Sequence, residues 1–167
     1  MNNIFMVVLN NVLQDSRVRR EAITLSQRYN IEIIGLKQRN TDLSDSTFNN
    51  IPVHLITLKT KYLLPKNNFG WIIKYIEFIV KLNLYLLSKP VDFIHAHNLD
   101  ALFPVFFLSK FKKAKIIYDS HELFTEMAGK KNNVINRFWL RYEKYVINKV
   151  NCVIAANKSR AEIMVKD

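Results

Sequence analysis

Six short apolar runs alternate along this chain with longer segments of helical spacing. The runs occupy residues 4–9, 31–36, 53–58, 93–96, 115–118 and 152–155. Apolar runs of this kind are typical of parallel strands that are covered on both faces, and their alternation with helices indicates βαβ units. The sequence therefore predicts an α/β fold in which one parallel sheet, ordered 3-2-1-4-5-6, carries helices on both faces.

Helices are predicted between and after these runs. The first begins at Asp15 or Ser16, either of which can cap it, and the others span 69–89, 99–111, 133–149 and 159–167. The polar stretch 38–50 is predicted to be a loop. Because three charged residues lie within 69–81, a transmembrane span is disfavoured there. We expect a long, largely buried amphipathic helix over 69–89, and a helix lying on a bilayer is the alternative.

Composition limits the cellular compartment and the classes of binding partner that we expect for this protein. At 167 residues the chain fits one domain, and its one cysteine, Cys152, indicates a reducing, cytoplasmic compartment. Cys152 lies in an apolar run, so we expect it to be buried. The net charge of +11 favours anionic partners. Because the basic residues carry no zinc-finger or RNA-recognition signature, we expect no nucleic acid. The basic residues therefore either form a solvated surface or, alternatively, face an anionic membrane.

Two polar clusters directly follow predicted strands. His95, His97 and Asp100 lie at or after one strand, and Asp119, His121 and Glu122 follow the next. Ligands of open α/β sheets bind outside the carboxyl ends of the strands, so we expect both clusters in one crevice. Alternatively, His95 is a core histidine whose hydrogen bonds are satisfied, and Asp100 is a carboxylate that stabilises the start of a helix. The spacing matches no helical zinc motif, and we expect no metal.

The loop after the first strand opens a helix, which is a position suited to anions. Arg17 adds a planar fork that matches phosphate or carboxylate. We therefore place Asn11, Asp15 and Arg17 at the border of the same crevice. A capped surface helix with solvated charges is the alternative interpretation.

Three of these segments together resemble the amino-terminal domain of family 4 glycosyltransferases. They read DSRVRREA from residue 15, DFIHAHNLD from residue 92 and YDSHELF from residue 118. Residues 143–146 and 152–159 are similar to the end of that domain. The resemblance covers nearly the whole chain, and the order and spacing of the motifs make it fairly specific.

The resemblance implies the GT-B fold, in which two Rossmann-like domains face each other across a cleft. Residues 1–167 would form the amino-terminal, acceptor-binding domain, without the carboxyl-terminal donor domain. Such enzymes retain anomeric configuration, require neither metal nor cofactor, and use nucleotide-sugar donors. The acceptor would be a glycan or a lipid-linked molecule in polysaccharide biosynthesis. Two features depart from the family: the first loop lacks glycine, and no glutamate pair has the Glu-x7-Glu spacing of the donor domain.

The resemblance also implies roles for the site residues. His95, or alternatively His97, would line the cleft near the transferred sugar as the catalytic histidine. The other substrate-binding candidates are Asn11, Asp15, Arg17, Asp100, Asp119, His121 and Glu122. We expect a cytoplasmic protein, peripheral on the inner face of the cell membrane, and a fragment that folds but does not catalyse. A sugar-nucleotide epimerase of similar fold and a non-enzymatic basic module that binds membrane or protein are the alternatives.

Overall fold

The structure is a computed structural model that describes residues 1–10, 12, 15–39, 42–120 and 134–166. The strands in these ranges are β1 (Asn3–Val7), β2 (Asn30–Leu36), β3 (Asp45–Phe48), β4 (Ile51–Ile56), β5 (Phe93–His97), β6 (Lys115–Ser120) and β7 (Cys152–Ala155). The helices are α1 (Ser16–Ser26), α2 (Thr60–Leu63), α3 (Asn68–Leu87), α4 (Leu99–Lys112), α5 (Val134–Ile147) and α6 (Lys158–Lys166). Apart from the short α2, each of these helices was predicted.

The strands form one sheet in the order β3-β4-β2-β1-β5-β6-β7. In the part of the sheet that begins with β4 and ends with β7, each strand is parallel to its neighbours. These six strands are the predicted ones, so the α/β class and the order 3-2-1-4-5-6 are confirmed. The sheet differs from the prediction by an added strand at one edge.

That added strand, β3, pairs antiparallel with β4 and falls inside the stretch 38–50 that was predicted to be a loop. Asn49 and Asn50 join the two strands with φ values of 48° and 63°. Two successive residues of positive φ are typical of the tight turn that matches the twist of a hairpin, and asparagine tolerates this conformation. The prediction was wrong because an edge strand can be polar, so its sequence resembles that of a loop. The pair Asn49-Asn50 is the sequence feature that indicates the hairpin turn.

Buried apolar side chains form two groups, one on each face of the sheet. Helix α1 covers the first face through Val18 and Ala22, and α3, α4 and α5 cover the second. Successive side chains of a strand point to opposite faces. Strand β5 therefore directs Ile94 to the second face, and it directs His95 and His97 to the face that carries α1.

Helix α3 occupies most of the segment 69–89, but it is not largely buried. Its inner face buries Tyr75, Phe78, Leu82 and Leu86. Its outer face leaves an apolar stripe in solvent, here called the outer stripe: Phe69, Ile72, Ile76, Val80, Leu84 and Leu87. The prediction of a largely buried helix was wrong because the helix packs on one side only. Among the residues that the structure describes, no helix is both long and apolar enough to cross a membrane.

Cys152 is exposed, contrary to expectation. It begins β7, which is the edge strand of the sheet beside β6. One side of an edge strand has no neighbouring strand, and exposed and half-buried side chains alternate along β7. An apolar run at the sheet edge therefore does not bury its first residue.

Candidate functional site

The ends of β5 and β6 bring three of the predicted site residues together. His97 and Asp119 are direct partners in the parallel register, and both are fully buried. His97 Nδ1 lies 3.3 Å from Asp119 Oδ2. His95 stacks on His97 with ring centroids 4.3 Å apart. The two imidazoles and the carboxylate therefore form one buried polar group on the face that carries α1.

Helix α1 is placed above this group by its first turn. The Asp15 carboxylate accepts hydrogen bonds from the backbone N–H groups of Arg17 and Val18, which caps the helix. Asn10 Nδ2 donates to the other oxygen of Asp15 at 3.0 Å. Of the two capping residues allowed by the sequence, the structure uses Asp15. Asp15 therefore holds the helix in position above the buried group.

Arg17 connects α1 to the buried group. Its Nη2 donates to Asp119 Oδ1 at 2.5 Å, and its Nε donates to Glu21 Oε1 at 3.1 Å. A guanidinium that bridges two carboxylates in this way gives strong, directional hydrogen bonds. The sequence motif at residue 15 is thus joined in space to the motif that contains Asp119, across 102 residues of chain.

Glu21 is a site residue that the sequence analysis did not select. Its Oε2 lies 3.9 Å from His95 Nε2 and 4.0 Å from His97 Nδ1. It is four residues beyond Arg17, so the two side chains share one face of α1. That spacing was a usable signal, because a helix that presents Arg17 to the crevice presents Glu21 as well. We call these five residues the histidine cluster: Arg17, Glu21, His95, His97 and Asp119.

The histidine cluster contains several charged groups and is mostly shielded from solvent. With both imidazoles neutral, it carries one positive and two negative formal charges. Arg17 and Glu21 keep 30% and 28% of their side-chain surface exposed, whereas both histidines and Asp119 are buried. Burial of charges is costly unless they are paired, and the contacts of Arg17 with both carboxylates supply that pairing.

Four members of the cluster also have the geometry of metal ligands. Glu21, His95, His97 and Asp119 each offer one ligand atom, and these atoms lie within 4.8 Å of one another. Imidazole and carboxylate groups bind zinc or iron. Arg17 already places a cation against Asp119, so a metal ion would have to compete with that ion pair.

The backbone just beyond β5 is strained. Asn98 has φ 71° and ψ 165°, a conformation that side-chain-bearing residues rarely adopt. Its N–H donates to the carbonyl of Asp119 at 2.9 Å, which ties the end of β5 to β6. Strain of this kind costs about 1–3 kcal/mol and is concentrated at functional sites. Asn98 therefore joins Glu21 as a residue that the sequence analysis did not select.

The remaining candidates lie elsewhere. Asp100 is in the first turn of α4, close to Tyr75 and Tyr118 on the opposite face from the histidine cluster. Burial, and then the nearby Asp100, raises the pKa of Tyr75, whereas burial and then Glu143 raise the pKa of Tyr118, with Asp100 as a smaller cause. A role of Asp100 in substrate binding stays a prediction. Asn11, His121 and Glu122 lie outside the described residues.

Comparison with known proteins relates this architecture to glycosyl transfer. Residues 17–167 match the sequence profile of Glycosyltransferase Family 4. Two solved structures of sucrose-phosphate synthase from Thermosynechococcus elongatus have a similar fold. One has a TM-score of 0.71 at 12% identity and covers 96% of this chain and 79% of its own. The other has a TM-score of 0.75 at 10% identity and covers 99% and 45%. None of the curated proteins matches this chain at a significant level.

Proposed function

The chain belongs to glycosyltransferase family 4, and we propose that it forms the acceptor-side domain of a retaining enzyme of polysaccharide biosynthesis. The enzyme would transfer a sugar from a nucleotide-sugar to a glycan or a lipid-linked acceptor. The observation that carries this proposal is the histidine cluster at the carboxyl edge of the sheet, where α/β folds bind ligands. The donor would be held by a second domain that faces this edge. The chain spans less than half of the longer sucrose-phosphate synthase structure.

The exposure of the cluster suggests the order in which its members meet a substrate. Arg17 and Glu21 are the accessible members, so an approaching ligand contacts them first. Both are long side chains that can reorient while α1 stays in place. His95 then contacts the transferred sugar, with His97 behind it. The work of the cluster is orientation and stabilisation of charge, because its groups are already fixed by the sheet register and by the Asp15 cap.

The proposal predicts which part of the enzyme binds the nucleotide-sugar, and calorimetry can test this. The 167-residue chain should bind nucleotide-sugars weakly or undetectably, since their recognition groups would belong to the facing domain. The full-length enzyme should bind them and should transfer labelled sugar to an acceptor. Tight, stoichiometric nucleotide-sugar binding by the 167-residue chain would contradict the assignment and favour the epimerase of similar fold.

The partner surface proposed for this domain is an anionic membrane. The outer stripe supports it, because six apolar side chains of α3 face solvent along about five turns. Lys74 and Lys81 lie on the same helix, and the chain as a whole carries +11. An exposed apolar face beside lysines matches the acyl boundary and the anionic headgroups of a bilayer.

Vesicle co-sedimentation tests this partner. Phosphatidylglycerol vesicles should retain the chain at low salt and release it as salt rises, because screening lengths fall to ~10 Å at ~0.1 M. The double variant Ile76→Ser, Val80→Ser should lose retention. Leu43→Ser is the control, since Leu43 is 71% exposed, more than Ile76 or Val80, but lies outside α3. Equal retention of both variants, or no retention of the parent chain at low salt, would contradict the proposal.

A further inference from the structure

An open cavity of about 500 Å³ lies where the carboxyl ends of β1, β2 and β4 meet α2 and α3. Its lining is mostly apolar. Leucines at or after the three strand ends form one side, and aromatic side chains of α3 form the other. Those side chains are Leu9, Leu36, Leu58, Trp71, Tyr75 and Phe78. This cavity lies on the face of the sheet that carries α3, away from the histidine cluster.

Three lysines also line the cavity, which we therefore call the lysine pocket. They are Lys61, Lys66 and Lys74, and no aspartate or glutamate is among the described lining residues. Main-chain carbonyls hold two of them in place: Lys61 donates to Lys37 and Gln38, and Lys74 donates to Leu64 and Pro65. Carbonyls position an ammonium group but do not neutralise it, and each ammonium has three donor hydrogens. The pocket thus combines three lysines, two of which are held in place, with an apolar wall.

The rim of the pocket is built by specific contacts. The Glu77 carboxylate of α3 accepts from the N–H groups of Lys59 and Thr60 and from Thr60 Oγ1, which anchors α2. The α2–α3 connection packs tightly on the first turn of α3 at Gly70. A Cβ at that position would lie 2.2 Å from the carbonyl oxygen of Pro65. These contacts fix the shape of the pocket without any ligand.

Two short connections link the lysine pocket to the carboxyl edge that holds the histidine cluster. Tyr75 Oη donates to the carbonyl of Asp100 at 2.7 Å, and Asp100 is three residues beyond His97. Leu9 is followed by Asn10, whose side chain donates to the Asp15 cap of α1. The pocket and the histidine cluster therefore lie near the same edge of the sheet, on its two faces.

We propose that the lysine pocket binds the acceptor as an amphiphilic anion, a phosphate or diphosphate group on an alkyl or isoprenoid chain. The lysines bind the phosphate, and the leucines and aromatic rings cover the first part of the chain. Tyr62 lines the pocket and is 61% exposed, so the far end of the chain leaves the pocket past this ring. This inference rests on the proposed function and selects the lipid-linked class among its acceptors.

Calorimetric titration with three probes tests the proposal on the 167-residue chain. The probes are dodecyl phosphate below its critical micelle concentration, dodecyl maltoside as a neutral amphiphile, and inorganic phosphate. Dodecyl phosphate should bind at one site, and the other two probes should each bind at least about tenfold more weakly, since each lacks one of the two interactions. Binding should alter the fluorescence of Trp71, which lines the pocket.

Variants locate the binding. Lys66→Glu should weaken dodecyl phosphate binding by about tenfold or more, because it replaces attraction with repulsion. Lys115→Glu is the matched control, since Lys115 is exposed at the amino end of β6, on the opposite edge of the sheet. Circular dichroism verifies that both variants are folded. An equal effect of the two variants would place the binding elsewhere and overturn the proposal.

The remaining outcomes are also decisive. Equal affinity for dodecyl maltoside would show a merely apolar groove, and equal affinity for inorganic phosphate would show a free-phosphate site. Either result, or no binding of dodecyl phosphate, overturns the proposal. Failure here is distinguishable from failure of the proposed function, because sugar transfer by the full-length enzyme to a soluble glycan would leave that function standing.

Discussion

The histidine cluster and the lysine pocket lie near the same edge of one sheet, but they are built on opposite principles. The cluster is buried and pairs its charges internally, with Arg17 between two carboxylates. The pocket is open, its lysines face apolar walls, and main-chain carbonyls are their partners. The contrast teaches that the charges of the first region are matched within the fold, whereas the second region has lysines and an apolar wall that a ligand of matching chemistry completes.

The two regions also depend on different parts of the fold. The histidine cluster follows from strand register, because His97 and Asp119 are neighbours in the sheet. The lysine pocket follows from helix placement, because Glu77 and Gly70 set the position of α2 against α3. Substitutions in the first region should therefore affect folding more than those in the second.

The largest expected effect is that of Asp119→Ala. It leaves Arg17 and His97 without the buried carboxylate, so the free energy of unfolding should fall by about 3 kcal/mol. Lys66→Ala in the pocket should change it by less than about 0.5 kcal/mol. Urea denaturation followed by circular dichroism measures both. Similar losses in the two variants would remove the distinction between the regions.

A second prediction concerns the rim of the lysine pocket. Partial burial raises the pKa of Glu77, but hydrogen bonds from Lys81, Thr60 and Lys59 outweigh this effect and lower it to about 2. The stability that Glu77 contributes is therefore present above its ordinary value near 4.5 and is lost as pH falls toward 2. Glu77→Gln should cost about 1 kcal/mol at neutral pH and should flatten the acid limb of the stability profile.

Urea midpoints measured from pH 7 to pH 2 give this profile. Glu162→Gln is the control, because Glu162 is more than half exposed on α6. An unchanged acid limb in Glu77→Gln would show that α2 is held by other contacts.

The third prediction compares two buried carboxylates: Asp119, which belongs to β6, and Glu143, which contacts the preceding β6 residue, Tyr118. Asp119 is paired with Arg17, whereas Glu143 accepts a hydrogen bond from the Tyr118 hydroxyl at 2.7 Å. Burial raises the pKa of Glu143, and the Tyr118 hydrogen bond only partly offsets this. Because the folded state holds the proton more tightly, stability falls as pH rises from the unfolded value through the folded one.

Glu143→Gln should remove this pH dependence and should raise the free energy of unfolding at pH 7 by about 1 kcal/mol, the scale of one hydrogen bond. Thermal and urea denaturation at pH 5 and pH 8 measure it. A variant that is less stable than the parent at pH 8 would show that ionised Glu143 is stabilising.

Particular residues show how far the sequence alone could lead. Apolar runs and their polar ends located six strands and placed His95, His97 and Asp119 together, because strand alternation and register are regular. Glu21 was missed although its i,i+4 relation to Arg17 was visible. The conformation of the turn into α4 was not predicted, because it depends on an unusual φ at Asn98 that the sequence does not specify.

The surface of α3 was harder to predict. Its apolar residues fit a buried helix equally well, and the side of the helix left uncovered depends on how α3 and α4 pack. The lysine pocket was not predicted at all, since its lining comes from three strand ends and two helices that only the folded chain brings together.

The central claim is that the histidine cluster is the reacting half-site of a glycosyltransferase, and His95→Asn in the full-length enzyme tests it most directly. Asparagine keeps a polar side chain at this buried position but removes the imidazole. We predict that kcat/KM for sugar transfer falls by about a hundredfold or more, while the free energy of unfolding changes by no more than about 1 kcal/mol. Undiminished transfer, or a loss of activity no greater than the loss of folded protein, would contradict the claim and identify His95 as a core histidine.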